Sequence, residues 1–142
     1  MSVEIVDRGF AELTAAEFHD LLKLRVDVFV VEQDCAYAEV DGRDRETLTR
    51  HVWVVDDVQA VAYLRILDDG DARRIGRVVT APEARGRGLA ARLVDHAVAS
   101  TEGPWVLDAQ SHLQDWYLDR GFTVAGPEFI EDGIPHVPMR RD

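Results

Sequence analysis

Apolar residues recur along this chain at two periods, and the changes of period mark its elements. Phe18, Leu21, Leu22, Arg25, Val28 and Phe29 fall at helical spacing. A capping box opens that run, with Thr14 as N-cap and Glu17 three residues on. Leu89, Leu93 and Ala97 stack at successive turns with Val94 and Val98 beside them, so a second helix is predicted to continue to Ser100. A third helix is predicted from a capping box at Ser111 and Gln114 to a C′ glycine at Gly121, with Leu113, Trp116, Tyr117 and Arg120 on one face. Strands are expected at Val3–Val6, His51–Val55, Val58–Leu67, Arg74–Thr80 and Trp105–Leu107. Phe122–Ile130 and Ile134–Arg140 read as a hairpin around Asp132-Gly133, a type I′ signal. The polar stretch Asp34–Arg50 is too long for a plain connection, so it is either a functional loop or holds a short helix. The order β-α-loop-β-β-β-α-β-α-β-β predicts an α/β domain with a mixed sheet.

Composition narrows the class. A chain of 142 residues, 46% hydrophobic, is expected to fold as one domain, residues 1–142. No apolar run is long enough to span a bilayer, and the first residues do not read as a signal peptide. Cys35 stands alone, which suits a cytoplasmic protein and reads as a small buried hydrophobe rather than a nucleophile. The net charge of −11 disfavours nucleic acid as a partner. Its distribution says more. Arg73, Arg74, Arg77, Arg85, Arg87 and Arg92 share their window with one acid, Glu83, so that window is +5 and the rest of the chain −16.

The basic island surrounds Arg85-Gly86-Arg87-Gly88-Leu89-Ala90, which opens the second helix. Free N–H groups and the helix dipole make such an N-terminus an anion site. Glycines let a ligand approach the backbone, and arginines add donors suited to phosphate. A phosphate cradle is therefore expected, against the plainer reading of a glycine-rich loop with two solvated arginines. Gly86-x-Gly88-x-x-Ala91 also matches the dinucleotide fingerprint, with Asp108 placed 20 residues after Gly88. Against a nicotinamide enzyme, about 70 residues precede the motif and too little chain follows for a second mononucleotide half.

With these residues in place, the sequence resembles the GNAT family of N-acetyltransferases. Arg85 to Ala90 fit the family's phosphate motif, Gln/Arg-x-x-Gly-x-Gly/Ala, and Tyr117 and Gly121-Phe122 fall at the spacing of a second signature, in which Gln110 replaces the usual Asn. Arg25 to Gln33 and Glu131 to His136 look like the ElaA-like branch of small bacterial acetyltransferases. The first of these stretches, with Glu39 to Asp44, also resembles acyl-homoserine-lactone synthases, for which the chain is short.

The resemblance implies a mixed, mostly antiparallel sheet, splayed between strands 4 and 5 and flanked by helices. It implies acetyl-CoA as acyl donor, with Val78, Val79 and Thr80 pairing its pantetheine arm and Arg85, Gly86, Arg87, Gly88, Leu89 and Ala90 holding its pyrophosphate. Gln110 joins the cofactor-binding set. The Val79 N–H is the expected oxyanion donor and Tyr117 the expected acid for the leaving thiolate. The fourth strand has no acid to serve as base, so Glu32, His112, His136 or water are open candidates. Glu32, Asp41 and His136 are expected on the acceptor side, where a wall rich in acids would favour a cationic amine. The partner implied is a small-molecule or peptide amine, with neither nucleic acid nor membrane; an exposed strand edge would allow a homodimer, and no metal site is assigned. The alternative function is a CoA-binding module without turnover.

Overall fold

The computed structural model describes residues 3–142. Its strands form a single twisted path. β1 (Val3–Gly9), β2 (Arg50–Asp56), β3 (Gln59–Asp68) and β4 (Arg73–Thr80) pair antiparallel in chain order. β5 (Trp105–Gln110) then runs parallel to β4, and β8 (Ile134–Arg141) antiparallel to β5. β6 (Thr123–Val124) and β7 (Phe129–Glu131) both pair with β8. This is the mixed, mostly antiparallel sheet that the sequence implied.

The splay is visible in the register. β4 and β5 pair only at Arg73–Trp105 and Arg74–Val106. Beyond those residues the strands diverge, and the facing edges of β4 and β5 are left without a strand partner. A bulge in β4 sharpens the bend: Tyr63 opposes Val79 but Arg65 opposes Gly76, and Arg77 sits at φ 54°.

Helices α1 (Ala15–Arg25), α2 (Leu89–Ser100) and α3 (Gln114–Asp119) flank the sheet. The Thr14 capping box forms as predicted, with the Thr14 hydroxyl accepting from the Glu17 N–H at 3.0 Å and the Glu17 carboxylate accepting from the Thr14 N–H at 2.9 Å. Past Arg25 the helix widens into a π turn, Val26–Glu32. Leu21, Val28, Val52, Leu64, Leu93, Trp105, Phe122 and Met139 are among the buried core side chains.

Three expectations are corrected. Ser111 does not cap a helix, because it is itself the first residue of a 3-10 turn, residues 111–113, and α3 starts only at Gln114; its hydroxyl donates to Glu128 at 2.7 Å. Phe122–Ile130 is not one strand, since Gly126 and Pro127 divide it into β6 and β7. Cys35 is half-buried rather than in the core, its thiol 3.6 Å from the Asp132 carbonyl. The type I′ hairpin is present between β7 and β8, with Asp132 and Gly133 at φ 50° and 77°. Residues 34–49 form a loop with one 3-10 turn, Arg43–Arg45, and Arg50 already belongs to β2.

Candidate active site

The β4 edge decides which backbone groups can meet a ligand in the gap. The Ala81 N–H bonds the Val61 carbonyl at 2.8 Å, and the register pairs Thr80 with Ala62 and Val79 with Tyr63. Antiparallel ladders alternate between residues that exchange hydrogen bonds and residues that do not. Val79 therefore points its N–H and C=O to β3 and Thr80 points its own into the gap, while Val78 lies in the bulge, where the register gives it no β3 partner. That register speaks against the Val79 N–H as oxyanion donor and leaves Val78, which has no β3 partner in it, as the alternative. The Val79 side chain is buried in the core.

The turn from β4 into α2 is built around two left-handed glycines. Gly86 has φ 80° and Gly88 φ 72°, and a methyl group placed on either would meet no atom within 4 Å. Glycine is thus required by backbone conformation, while the space above it stays open. α2 has no side-chain cap at Gly88, and its first backbone bond runs from Arg92 N–H to Gly88 C=O at 3.1 Å. The N–H groups of Leu89, Ala90 and Ala91 consequently lack intrahelical partners. Leu89 contributes only main chain, since its side chain is core. The open space and the free amides fit a phosphate-bearing cosubstrate.

Both loop arginines are already engaged. Arg85 grips the Glu32 carboxylate with both terminal nitrogens, at 2.6 and 2.8 Å, and its Nε donates to the Thr80 carbonyl at 3.2 Å. Arg87 donates to Asp56 at 2.9 Å. The pairing with Arg85 holds the Glu32 carboxyl below the usual carboxylate range. Glu32, expected among the acceptor-side residues, thus bridges from the π turn to the phosphate loop.

Tyr117 is carried by α3, just beyond the end of β5, and packs edge-on to Trp116 and Phe122 at ring separations of 4.8 and 6.0 Å. It is 5% exposed, and burial alone pushes its phenol up to about 12. The hydroxyl therefore keeps its proton at neutral pH. Gln110 ends β5 half-buried, opposite His136 of β8. The His136 ring stacks on Phe129 and its Nδ1–H donates to the Ile134 carbonyl at 2.7 Å, which leaves Nε2 as an acceptor in the neutral ring. His112 is exposed on the 3-10 turn.

Between α1, β3, β4 and the loop that follows the π turn, the structure contains a buried ionic network. Arg25, wholly buried, binds Glu39, and its terminal nitrogens reach Asp44 at 2.8 and 3.3 Å. Arg65 grips Asp41 with two bonds of 2.9 Å and touches Asp44 at 3.3 Å. Arg77 bonds Glu39 at 3.1 Å and Asp41 at 3.3 Å, with its guanidinium over the Tyr37 ring. His51 is held between the Tyr63 hydroxyl at 2.7 Å and the Asp44 carbonyl at 3.0 Å. Three arginines and three carboxylates cancel. This corrects the expectation for Asp41: its oxygens serve Arg65 and Arg77, so it does not present a free charge to an amine. Partial burial pulls Asp41 up, but the Arg65 and Arg43 hydrogen bonds and the charges of Arg65 and Arg77 outweigh it and leave it at about 2. The signal was in the sequence: Arg25 sits on an apolar helical face and Arg65 inside an apolar strand run, positions where only a paired arginine is tolerated.

Comparison with known proteins agrees with this architecture. The profile described as Acetyltransferase (GNAT) domain matches residues 19–142. The solved structure of an acyl-CoA N-acyltransferase from Pseudomonas aeruginosa is similar over 99% of this chain and 100% of that one, at 42% identity and a TM-score of 0.95. The structure of Escherichia coli ElaA is similar over 99% of this chain and 100% of that one, at 36% identity and a TM-score of 0.93. A UPF0039 protein of Mycobacterium tuberculosis is 46% identical over 92% of this chain and 87% of its own length.

Proposed function

Because the chain belongs to the GNAT acetyltransferase family and its ElaA-like branch, we propose that it is an acetyl-CoA-dependent N-acetyltransferase acting on a primary amine, with residues 1–142 as one domain. The observation that carries this reading is the β4–β5 gap, where an unpaired strand edge leads directly into a glycine loop with free amides. Acetyl-CoA supplies a thioester at that edge. Val78 and Thr80 offer backbone groups to its amide-bearing arm as an added strand would, and residues 85–90 receive its phosphates. Gln110, at the end of β5, lies on the opposite side of the gap.

Direct transfer makes one C–N bond and breaks one C–S bond; a protonated amine first gives one proton through the base to solvent, and the second proton lost by its nitrogen ends on the departing sulfur. The Val78 N–H donates where charge grows on the carbonyl oxygen. The Tyr117 hydroxyl donates towards the sulfur. Its phenol, raised by burial, is a weaker acid than a thiol, so it passes a proton only if one is returned from the nitrogen side. Of the candidate bases, His136 is oriented by its Nδ1 hydrogen bond with a lone pair left at Nε2, and His112 is exposed on its turn; Glu32 has both oxygens on Arg85 and lies below the usual carboxylate range. No helix of the described residues is long and apolar enough to cross a membrane, and a cytoplasmic enzyme is the reading we favour.

A thiol-release screen of diverse amines with acetyl-CoA, with product masses read by mass spectrometry, tests the proposal. Acetylated amine and free CoA in equal amounts are expected. CoA binding without turnover across the screen would instead favour the CoA-binding module, a reading supported by the absence of an acid on β4. Tight NADH binding with no CoA binding would remove both.

A further inference from the structure

Arg85 occupies the junction of three elements. Its Nε–H donates to the Thr80 carbonyl, one of the β4 groups that faces the gap, and its two terminal nitrogens hold Glu32 across a separation of 53 residues. Glu32 ends the π turn, where the negative end of a helical segment disfavours a carboxylate. Glu32 is therefore placed where it needs a cation, and the cation it has is the first residue of the phosphate loop. A phosphate held by the free amides of that loop would also draw on the same guanidinium fork. Two anions cannot both take it face-on, and each repels the other.

We propose that Glu32 is an anionic strap on Arg85 which a phosphate ligand displaces, and that the released carboxylate then binds the protonated acceptor amine. The inference rests on the reading of loop 85–90 as the CoA phosphate site. It makes binding ordered: the phosphate-bearing cosubstrate enters first, and its entry completes the acceptor site. In its absence Glu32 is neutralised, so an amine finds little to hold it. The other loop arginine, Arg87, pairs with Asp56 of β2, so it is the Glu32 pair that ties the loop to the π turn.

Calorimetric titration with CoA, which needs no turnover, tests the first half. Glu32→Gln keeps the shape and removes the competing charge, and should tighten CoA by about two- to fivefold at low salt, the range of an exposed ion pair. The gain should shrink as salt screens the pair. In an Arg85→Gln background, Glu32→Gln should give a clearly smaller gain in CoA affinity, since the strap is already gone and only direct charge repulsion remains. Unchanged or weaker CoA binding in Glu32→Gln, or a gain that persists undiminished without Arg85, overturns the strap. Cadaverine titrated into wild type tests the second half: its affinity should rise on saturation with CoA, and Glu32→Gln should abolish most of that rise. No rise, or an equal rise in the variant, overturns the release. Failure of CoA to bind any of these proteins would count against the phosphate site itself, and is thereby distinguishable from failure of the strap.

Discussion

Two residues serve the proposed chemistry as hydrogen-bond donors beside the base, and they do so through different parts of themselves. Tyr117 acts through a side-chain hydroxyl that burial keeps protonated up to about 12. Tyr117→Phe preserves the ring contacts with Trp116 and Phe122 and removes the donor. Proton-transfer contributions run at roughly 10²–10⁴-fold, so kcat should fall at least about tenfold with CoA affinity held; undiminished kcat in a chemistry-limited assay would leave the ring as packing. Val78 acts through its backbone, which side-chain substitution cannot probe. Replacing its amide with an ester by semisynthesis removes the N–H and leaves the side chain intact, at the cost of a weaker acceptor at the Arg77 carbonyl. Loss of one oxyanion donor costs roughly 10²–10³ in kcat, whereas the same replacement at Val79 should cost about 0.5–1.5 kcal/mol of stability and little rate, because that N–H belongs to the ladder with β3. The reverse pattern would restore Val79 as the donor. The choice between neighbours was beyond the sequence: it depends on which member of a register pair faces the gap, and register is fixed by a partner strand.

At the scale of elements, local signals were legible and non-local ones were not. The Thr14 capping box and the Asp132-Gly133 turn are decided within four residues, and both formed. The Ser111 box has the same local pattern, but Ser111 is itself the first residue of a 3-10 turn, and its hydroxyl goes to Glu128, 17 residues on. Loop 34–49 shows the same rule at larger size. Its acids read as a solvated wall until Arg25, Arg65 and Arg77 are seen to come from α1, β3 and β4 to meet them. The network fastens the loop to the sheet, and it is buried enough for a broken pair to be costly. Arg25 is 0% and Asp44 2% exposed, at 2.8 Å. Asp44→Asn should lower unfolding free energy by about 3–5 kcal/mol, the cost of stranding one partner of a buried pair. Arg43→Gln, on the exposed pair with Glu46 and Asp69, should cost about 1 kcal/mol or less. Urea denaturation of both variants measures the contrast, and equal losses would show that the network is not what holds the loop.

For the whole molecule, charge is arranged in pairs that a window along the sequence cannot count. The arginine-rich window from Arg73 to Arg92 does not stand as a basic face, because Arg74 meets Asp69 and Asp108, Arg77 meets Glu39 and Asp41, Arg85 meets Glu32 and Arg87 meets Asp56. Acid should therefore unfold the protein in two separable stages. His51 comes first. Burial, and then the charges of Arg25 and Arg65, hold it below its ordinary 6.5 against the pull of Asp44. Its hydrogen bonds require the neutral ring, with Nε2–H donating to the Asp44 carbonyl and Nδ1 accepting from Tyr63. The unfolded chain binds the proton more readily than the folded one, so stability is whole above about 6.5 and declines as pH falls below it, by at most about 1.4 kcal/mol per pH unit for one proton. The carboxylates follow. Asp41 is depressed from 3.8 to about 2, so its contribution is present above 3.8 and is lost as pH falls towards 2. Urea titrations from pH 7.5 to 3 should show the first decline in wild type. In His51→Asn, which has no proton to take up there, the curve should be flatter between pH 6.5 and 5 while the later loss remains. Identical slopes in the two proteins across that interval would place the first stage elsewhere than at His51.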